Sequence, residues 1–217
     1  MDSNIPSSVT ALVVTTIALD ASAAAKTPRT GNTKLLGIGL VTHNLDVEGN
    51  LQFLVRSRAA TLLTGEAAIL DWIERELAQP TFVTGYNLVS SVLALIDRAD
   101  PALHPAIVEL LQIDWRTHQL SLHASPVQQA PLSVACAAAG IRVIGENVAR
   151  DQRDWLTGRS AKIEERLILQ GAATWKLWAV LAAQRGVQDK RLALASAHLD
   201  AWLDAYLAHQ QLPAFKL

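Results

Sequence analysis

The 217 residues of the chain suit one compact domain, since domains commonly span ~100–200 residues. Half of them are hydrophobic, 18% are charged and the formal net charge is -1, a balance that excludes the intrinsically disordered class. It also supplies no bulk positive field, so binding to nucleic acid or to an anionic membrane would need a local basic patch.

In chain order, the first feature is the near-continuous apolar and β-branched run from Val9 to Leu19, which predicts a strand buried on both faces. The residues before it are acidic rather than basic and the run is too short to span a bilayer, so neither a signal peptide nor a membrane helix is expected and the cytoplasm is the default location. Lys34 to His43 and Leu51 to Ser57 read as two more strands, and the intervening "NLDVEGN" carries hairpin-turn residues; three antiparallel strands follow. The loop from Ala21 to Thr33, with Pro28 and Gly31, belongs at the surface.

"TGEAAILDWIERELAQP" repeats Ile69, Ile73 and Leu77 every four residues, Trp72 widens the stripe and Pro80 stops it; this is an amphipathic helix. Thr81 to Asn87 reads as a short strand, and "VSSVLALIDRA" and "HPAIVELLQ" as helices, the second with Pro105 in its first turn. His118 and His123 in "IDWRTHQLSLH" are five residues apart, which fits neither a helix face nor a strand face and marks a solvated loop. From Pro131 the pattern is helical: "PLSVACAAAG" ends at the capping Gly140 and holds Cys136, the single cysteine, which excludes an internal disulfide and reads as a buried, inert thiol. Further helices run from Glu164 to Gly186 and from Asp189 to His209, the last with Leu192, Leu199, Trp202, Leu203 and Tyr206 on one side. The division expected is a domain over 1–186 and a C-terminal helix over 187–217, packed on that domain or at a dimer interface.

"LLTGEAAILDWIERELAQPTFVTGYN" and "APLSVACAAAGIRVIGENVARDQRDWLTGRSAKIEERLILQGAATWKLW" resemble the DEDD-type 3′-to-5′ exonucleases, in particular predicted exonucleases similar to the proofreading domain of B-family DNA polymerases. The resemblance covers roughly Ala11 to Ala183. It implies an α/β fold, a ribonuclease H-like mixed sheet flanked by helices, with a C-terminal helical extension. It also implies four acids holding two magnesium or manganese ions that activate water on a phosphodiester. The acids themselves are scarce. In one register of the first motif Asp20 and Ser22 occupy the acidic positions; in the other, which gives the first strand its usual length, Thr16 and Ala18 do. Asn87 matches the second motif, but its acid becomes Ser91 or Val92, and Gln170 stands where the last Asp is expected, with Thr174 matching a frequent Thr.

At most Asp20 survives, and Gln or Ser lacks the charge that a hard divalent cation requires. No metal is expected unless Asp97, Asp114, Glu164 or Glu165 rebuilds the site. Arg150, Arg153, Arg159, Lys162 and Arg166 crowd around Trp155, either as a phosphate track or as a charged face balanced by Asp151, Asp154, Glu164 and Glu165. Lys26, Arg29 and Lys34 form a second basic group, and Tyr86 and Asn87 are placed to face the cleft. Three readings result: a catalytically silent exonuclease-like protein that binds nucleic acid, possibly single-stranded, or acts as an accessory subunit; an active exonuclease with relocated ligands; and a protein-interaction domain or homodimer.

Overall fold

The computed structural model describes residues 6–18, 33–45, 48, 51–61, 63–79, 81–111, 117–120, 130–143, 147–185, 187 and 190–211. Their strands are β1 (Ser8–Ala18), β2 (Thr33–Leu45), β3 (Leu51–Ala59), β4 (Phe82–Gly85) and β5 (Thr117–Gln119). The helices are α1 (Glu66–Leu77), α2 (Leu88–Ile96), α3 (Pro105–Glu109), α4 (Leu132–Ala138), α5 (Val148–Leu156), α6 (Ser160–Gln184) and α7 (Lys190–Gln211). The strands form one mixed five-stranded sheet in the order β3-β2-β1-β4-β5. β1 to β3 are antiparallel neighbours, as expected, whereas β4 runs parallel to β1 and β5 parallel to β4.

Each face of the sheet is covered by helices. On one face Leu12, Leu35, Ile38 and Leu40 pack with Ile69, Ile73 and Leu77 of α1, Val92 and Leu95 of α2, and Ile107 of α3. On the other, Val9, Ala11 and Val41 pack with α4, α6 and α7. The register of β1 on β2 slips after Thr15, which pairs with Gly37 while Thr16 pairs with Leu35. Leu36 is the extra residue of a β-bulge; its carbonyl accepts a bond from the Ala60 N–H at 2.7 Å. The bulge breaks the two-residue period of β2, which is why Leu35 joins Ile38 and Leu40 on one face.

α6 is the central helix of its layer. Leu169 to Trp175 are buried without interruption, the pattern of a helix surrounded by protein rather than lying on it. Its approach to the sheet depends on glycine: a Cβ on Gly39 would lie 2.7 Å from the Leu167 carbonyl oxygen. Trp175 is fully buried and its indole N–H donates to His43 Nδ1 at 2.8 Å. The other His43 nitrogen therefore carries the proton and donates to the Pro6 carbonyl at 3.3 Å. Burial lowers the His43 pKa to about 4. On the same face Cys136 is buried, and burial pushes its thiol up to about 11.

α7 continues this core through Leu192, Ala195 and Leu199, and Lys176 of α6 bonds Asp200 at 2.6 Å. Trp202 departs from the expected stripe: it is 39% exposed and stacks on Tyr206 with centroids 5.2 Å apart. Two further corrections concern elements. The segment read as a loop around His118 contributes β5, where His118 pairs with Thr84; three residues offer too little periodicity to signal a strand that neighbours create. The charged segment around Trp155 contains α5, which buries Asp151 and Asp154. No helix among the described residues is long and apolar enough to cross a membrane.

Candidate nucleic-acid interface

In open α/β sheets ligands bind outside the carboxyl ends of parallel strands, so the ends of β1 and β4 define the candidate site. β4 closes at Gly85, Tyr86 and Asn87 form a turn, and α2 starts at Leu88. Tyr86 is buried in the α6-side core, and its hydroxyl donates to the Ala130 carbonyl at 2.8 Å. It is a core residue and leaves the set of cleft-facing candidates. Asn87 precedes α2 without capping it through its side chain, and its Oδ1 is buried with no hydrogen-bond partner among the described residues. That orphaned acceptor keeps Asn87 as a candidate, since a buried acceptor without a partner is costly. Ser91 is half-buried on α2, while Val92 is buried against the Leu12 side of the sheet.

On β1, alternation decides which residue meets which helix. Val14 packs on the α1–α3 side, and Thr16 and Ala18 continue that row. Val13 packs instead with Ile163 and Leu167 of α6, and Thr15 follows it, its hydroxyl donating to Asp151 Oδ2 at 3.4 Å. The register with Thr16 and Ala18 thus places two of the expected acidic positions on the face opposite to Gln170, which is buried on α6. The strand residue that reaches the α5–α6 cluster is Thr15, one position away. Asp20 and Ser22, the other register, lie outside the described residues, as do Lys26, Arg29 and Asp114.

The acids that do stand beside β1 were not among the expected ligands. Asp151 and Asp154, one helical turn apart on α5, are 7% and 6% exposed. Arg166 of α6 donates through Nε to Asp151 at 2.6 Å, and its Nη1 lies 2.7 Å from Asp154. Arg159 adds a contact to Asp154 at 3.1 Å. A buried carboxylate pair is tolerated only with such compensation. Arg159 is placed by the end of α5: Gly158, at φ 71°, turns the chain so that the Arg159 N–H meets the Asp154 carbonyl at 2.7 Å and the Gly158 N–H meets that of Trp155 at 3.0 Å, a Schellman closure.

The other relocation candidates do not converge here. Glu164 accepts from the Ala59 N–H at 3.0 Å, Glu165 pairs with Lys162 at 2.8 Å, and Asp97 is an exposed residue at the end of α2. Among the described residues no group of three or more His, Cys, Asp or Glu side chains is arranged to hold a metal ion.

Cations border the cluster. Lys34 Nζ sits over the Trp155 ring, 4.7 Å from its centroid, and the Trp155 indole N–H is buried without a hydrogen-bond partner among the described residues. Arg153 is exposed on α5 and Arg150 is half-buried; the Asn147 side chain caps this helix by accepting the Arg150 N–H at 2.9 Å. Among the described residues Asp151, Asp154, Arg159 and Arg166 balance one another, as do Lys162 and Glu165, so Lys34 and Arg153 give this edge its positive character. Phosphate contacts require such a group. No protein-family model matches the chain, and no curated protein matches it.

Proposed function

We propose that the chain is a ribonuclease H-like relative of the DEDD-type 3′-to-5′ exonucleases that binds single-stranded nucleic acid at the carboxyl edge of its sheet without hydrolysing it. The fold part of this reading is supported by the strand order with an antiparallel β1–β3 unit joined to parallel β4 and β5. The loss of hydrolysis rests on one observation: the two carboxylates buried beside β1, Asp151 and Asp154, are bound to Arg166. With both carboxylates engaged by the Arg166 guanidinium, neither is free to take a divalent cation as its counter-charge. Gln170, in place of the last acid of the resemblance, cannot supply the missing charge.

Binding is tested with a fluorescent oligonucleotide and the double variant Lys34→Ala, Arg153→Ala. Each phosphate contact contributes about 0.7 to the slope of log K against log salt for a single strand. The reading expects the variant to lose affinity and roughly 1.4 units of slope; an unchanged affinity and slope would overturn it.

A protein-interaction role is favoured by a different observation, the half-exposed Trp202 stacked on Tyr206 of α7. Such aromatic pairs are anchors of protein interfaces. Sedimentation of the chain with and without Trp202→Ala tests it for a second copy as the partner: a dimer lost in the variant supports that role, and a monomer in both rejects it.

A further inference from the structure

A polar groove of about 540 Å³ opens on the sheet face that carries α1, between the C-terminal half of that helix and the strands β1, β2 and β3. It lies at the other end of β1 from the candidate nucleic-acid interface, because Thr10 is six residues from Thr16, about 20 Å along a strand.

The floor of the groove departs from the pattern of its own sheet face. Leu12 and Val14 of β1, and Ile38 and Leu40 of β2, supply that face with core, yet the same rows end in Ser8 and Thr10 on β1 and in Thr42 on β2. Thr10 is only 2% exposed, where valine would have the same shape and no hydroxyl to desolvate. The hydroxyls are joined in one run: Ser8 donates to Thr81 at 2.9 Å, and Thr10 lies 2.9 Å from both Thr81 and Thr42. Either oxygen can donate in the last two bonds. Passing the protons in the sequence Ser8, Thr81, Thr10, Thr42 leaves the Thr42 proton for an acceptor in the groove.

The wall is the kind that recognises alcohols rather than polyanions. Trp72 supplies an aromatic surface, Asn44 and Gln79 supply amides, and the Arg56 guanidinium is paired with Glu76 across the opening. Among the described residues Arg75 is the one further cation of the lining. That is too little positive charge for a polyphosphate, which calls for a cluster of basic groups.

We propose that this groove is a second binding site, for a neutral polyhydroxylated ligand with the size of one or two sugar rings. Its hydroxyls exchange hydrogen bonds with the Ser8–Thr81–Thr10–Thr42 run and with Asn44 and Gln79, and one ring face rests on Trp72. The site is independent of nucleic-acid binding and needs none of the residues assigned to it.

The test is a ¹⁵N-resolved NMR titration of the full chain with a panel of neutral mono- and disaccharides, beside inorganic phosphate, followed by the variant Thr42→Val. Thr42 is half-buried and valine keeps its shape, so the variant's spectrum itself reports that the fold is kept. Saturable shifts confined to Ser8, Thr10, Thr42, Asn44 and Gln79 with at least one saccharide are expected, and Thr42→Val should weaken that ligand about fivefold, the equivalent of one hydrogen bond. Trp72→Ala, read in the same titration, should weaken it as well. No saturable shift with any saccharide, shifts with phosphate alone centred on Arg75, or an unchanged affinity in both variants would overturn the proposal.

Discussion

His43 shows how far one side chain can tie sequence to pH behaviour. Its Nδ1 accepts from Trp175 and its Nε2–H donates to the Pro6 carbonyl, so the ring is neutral by construction. A proton on Nδ1 would leave two N–H groups facing each other. Because burial depresses the folded pKa to about 4, the unfolded chain, with an ordinary value near 6.5, binds the proton first. Stability is therefore fully present above pH ~6.5 and declines as pH falls towards ~4, by about 3 kcal/mol in all. Chemical denaturation followed through tryptophan fluorescence over that range should show the decline. A variant His43→Gln, which keeps a polar group for Trp175, should lower stability at neutral pH and lose most of the decline.

Arg166 is the second residue on which much depends. Replacing it with methionine leaves Asp151 buried without a counter-charge and Asp154 with Arg159 alone, which should cost about 3–5 kcal/mol in a urea titration. Adding Asp151→Asn and Asp154→Asn should recover most of that loss, because the penalty belongs to the stranded charges. No recovery would mean that Arg166 acts chiefly through its packing on α5.

Among the elements, α5 decides the character of the candidate site, and its end is set by one backbone angle. Gly158 at φ 71° directs Arg159 back to Asp154, so Gly158→Ala should lower the stability by about 1–2 kcal/mol. It should also raise the mobility of the Arg159 side chain; a melting temperature equal to that of the parent would contradict this. The sequence made β1–β3, α1, α2 and the Gly140 cap legible, since each rests on local periodicity or on a turn residue. It hid β5, whose three residues are a strand only because β4 lies beside them. α5 was hidden because it buries two acids, inverting the rule by which charged residues mark a solvated face.

The candidate site was legible in part, and the two registers of β1 differ in the face of the sheet that they use. The usual length of the first strand favours Thr16 and Ala18, and because a strand alternates its faces, a shift of one residue exchanges the two sides of the sheet. Thr15 is the residue that meets Asp151. The bulge at Leu36 has no signature in "KLLGIGL" beyond its glycines, and the partner of Asp151 lies 15 residues away on another helix, a distance that no local pattern spans.

At the scale of the whole molecule, the sheet separates two regions of different chemistry. The carboxyl edge of β1 and β4 joins a self-neutralised carboxylate cluster to a cationic rim. The groove under α1 is lined with hydroxyls and amides. A near-zero net charge leaves no long-range field to gather nucleic acid, so binding at the rim should be weak and should fade quickly with salt.

The central claim, binding without hydrolysis, is tested most directly by incubating a 3′-labelled single strand with the protein in manganese and in EDTA, with binding and shortening read from the same samples. The account predicts salt-sensitive binding and an intact strand in both. Manganese-dependent shortening that persists in protein purified to homogeneity and disappears on replacing Asp20, Asp151 or Asp154 would contradict it, and would mean that carboxylates of this edge hold metal after all.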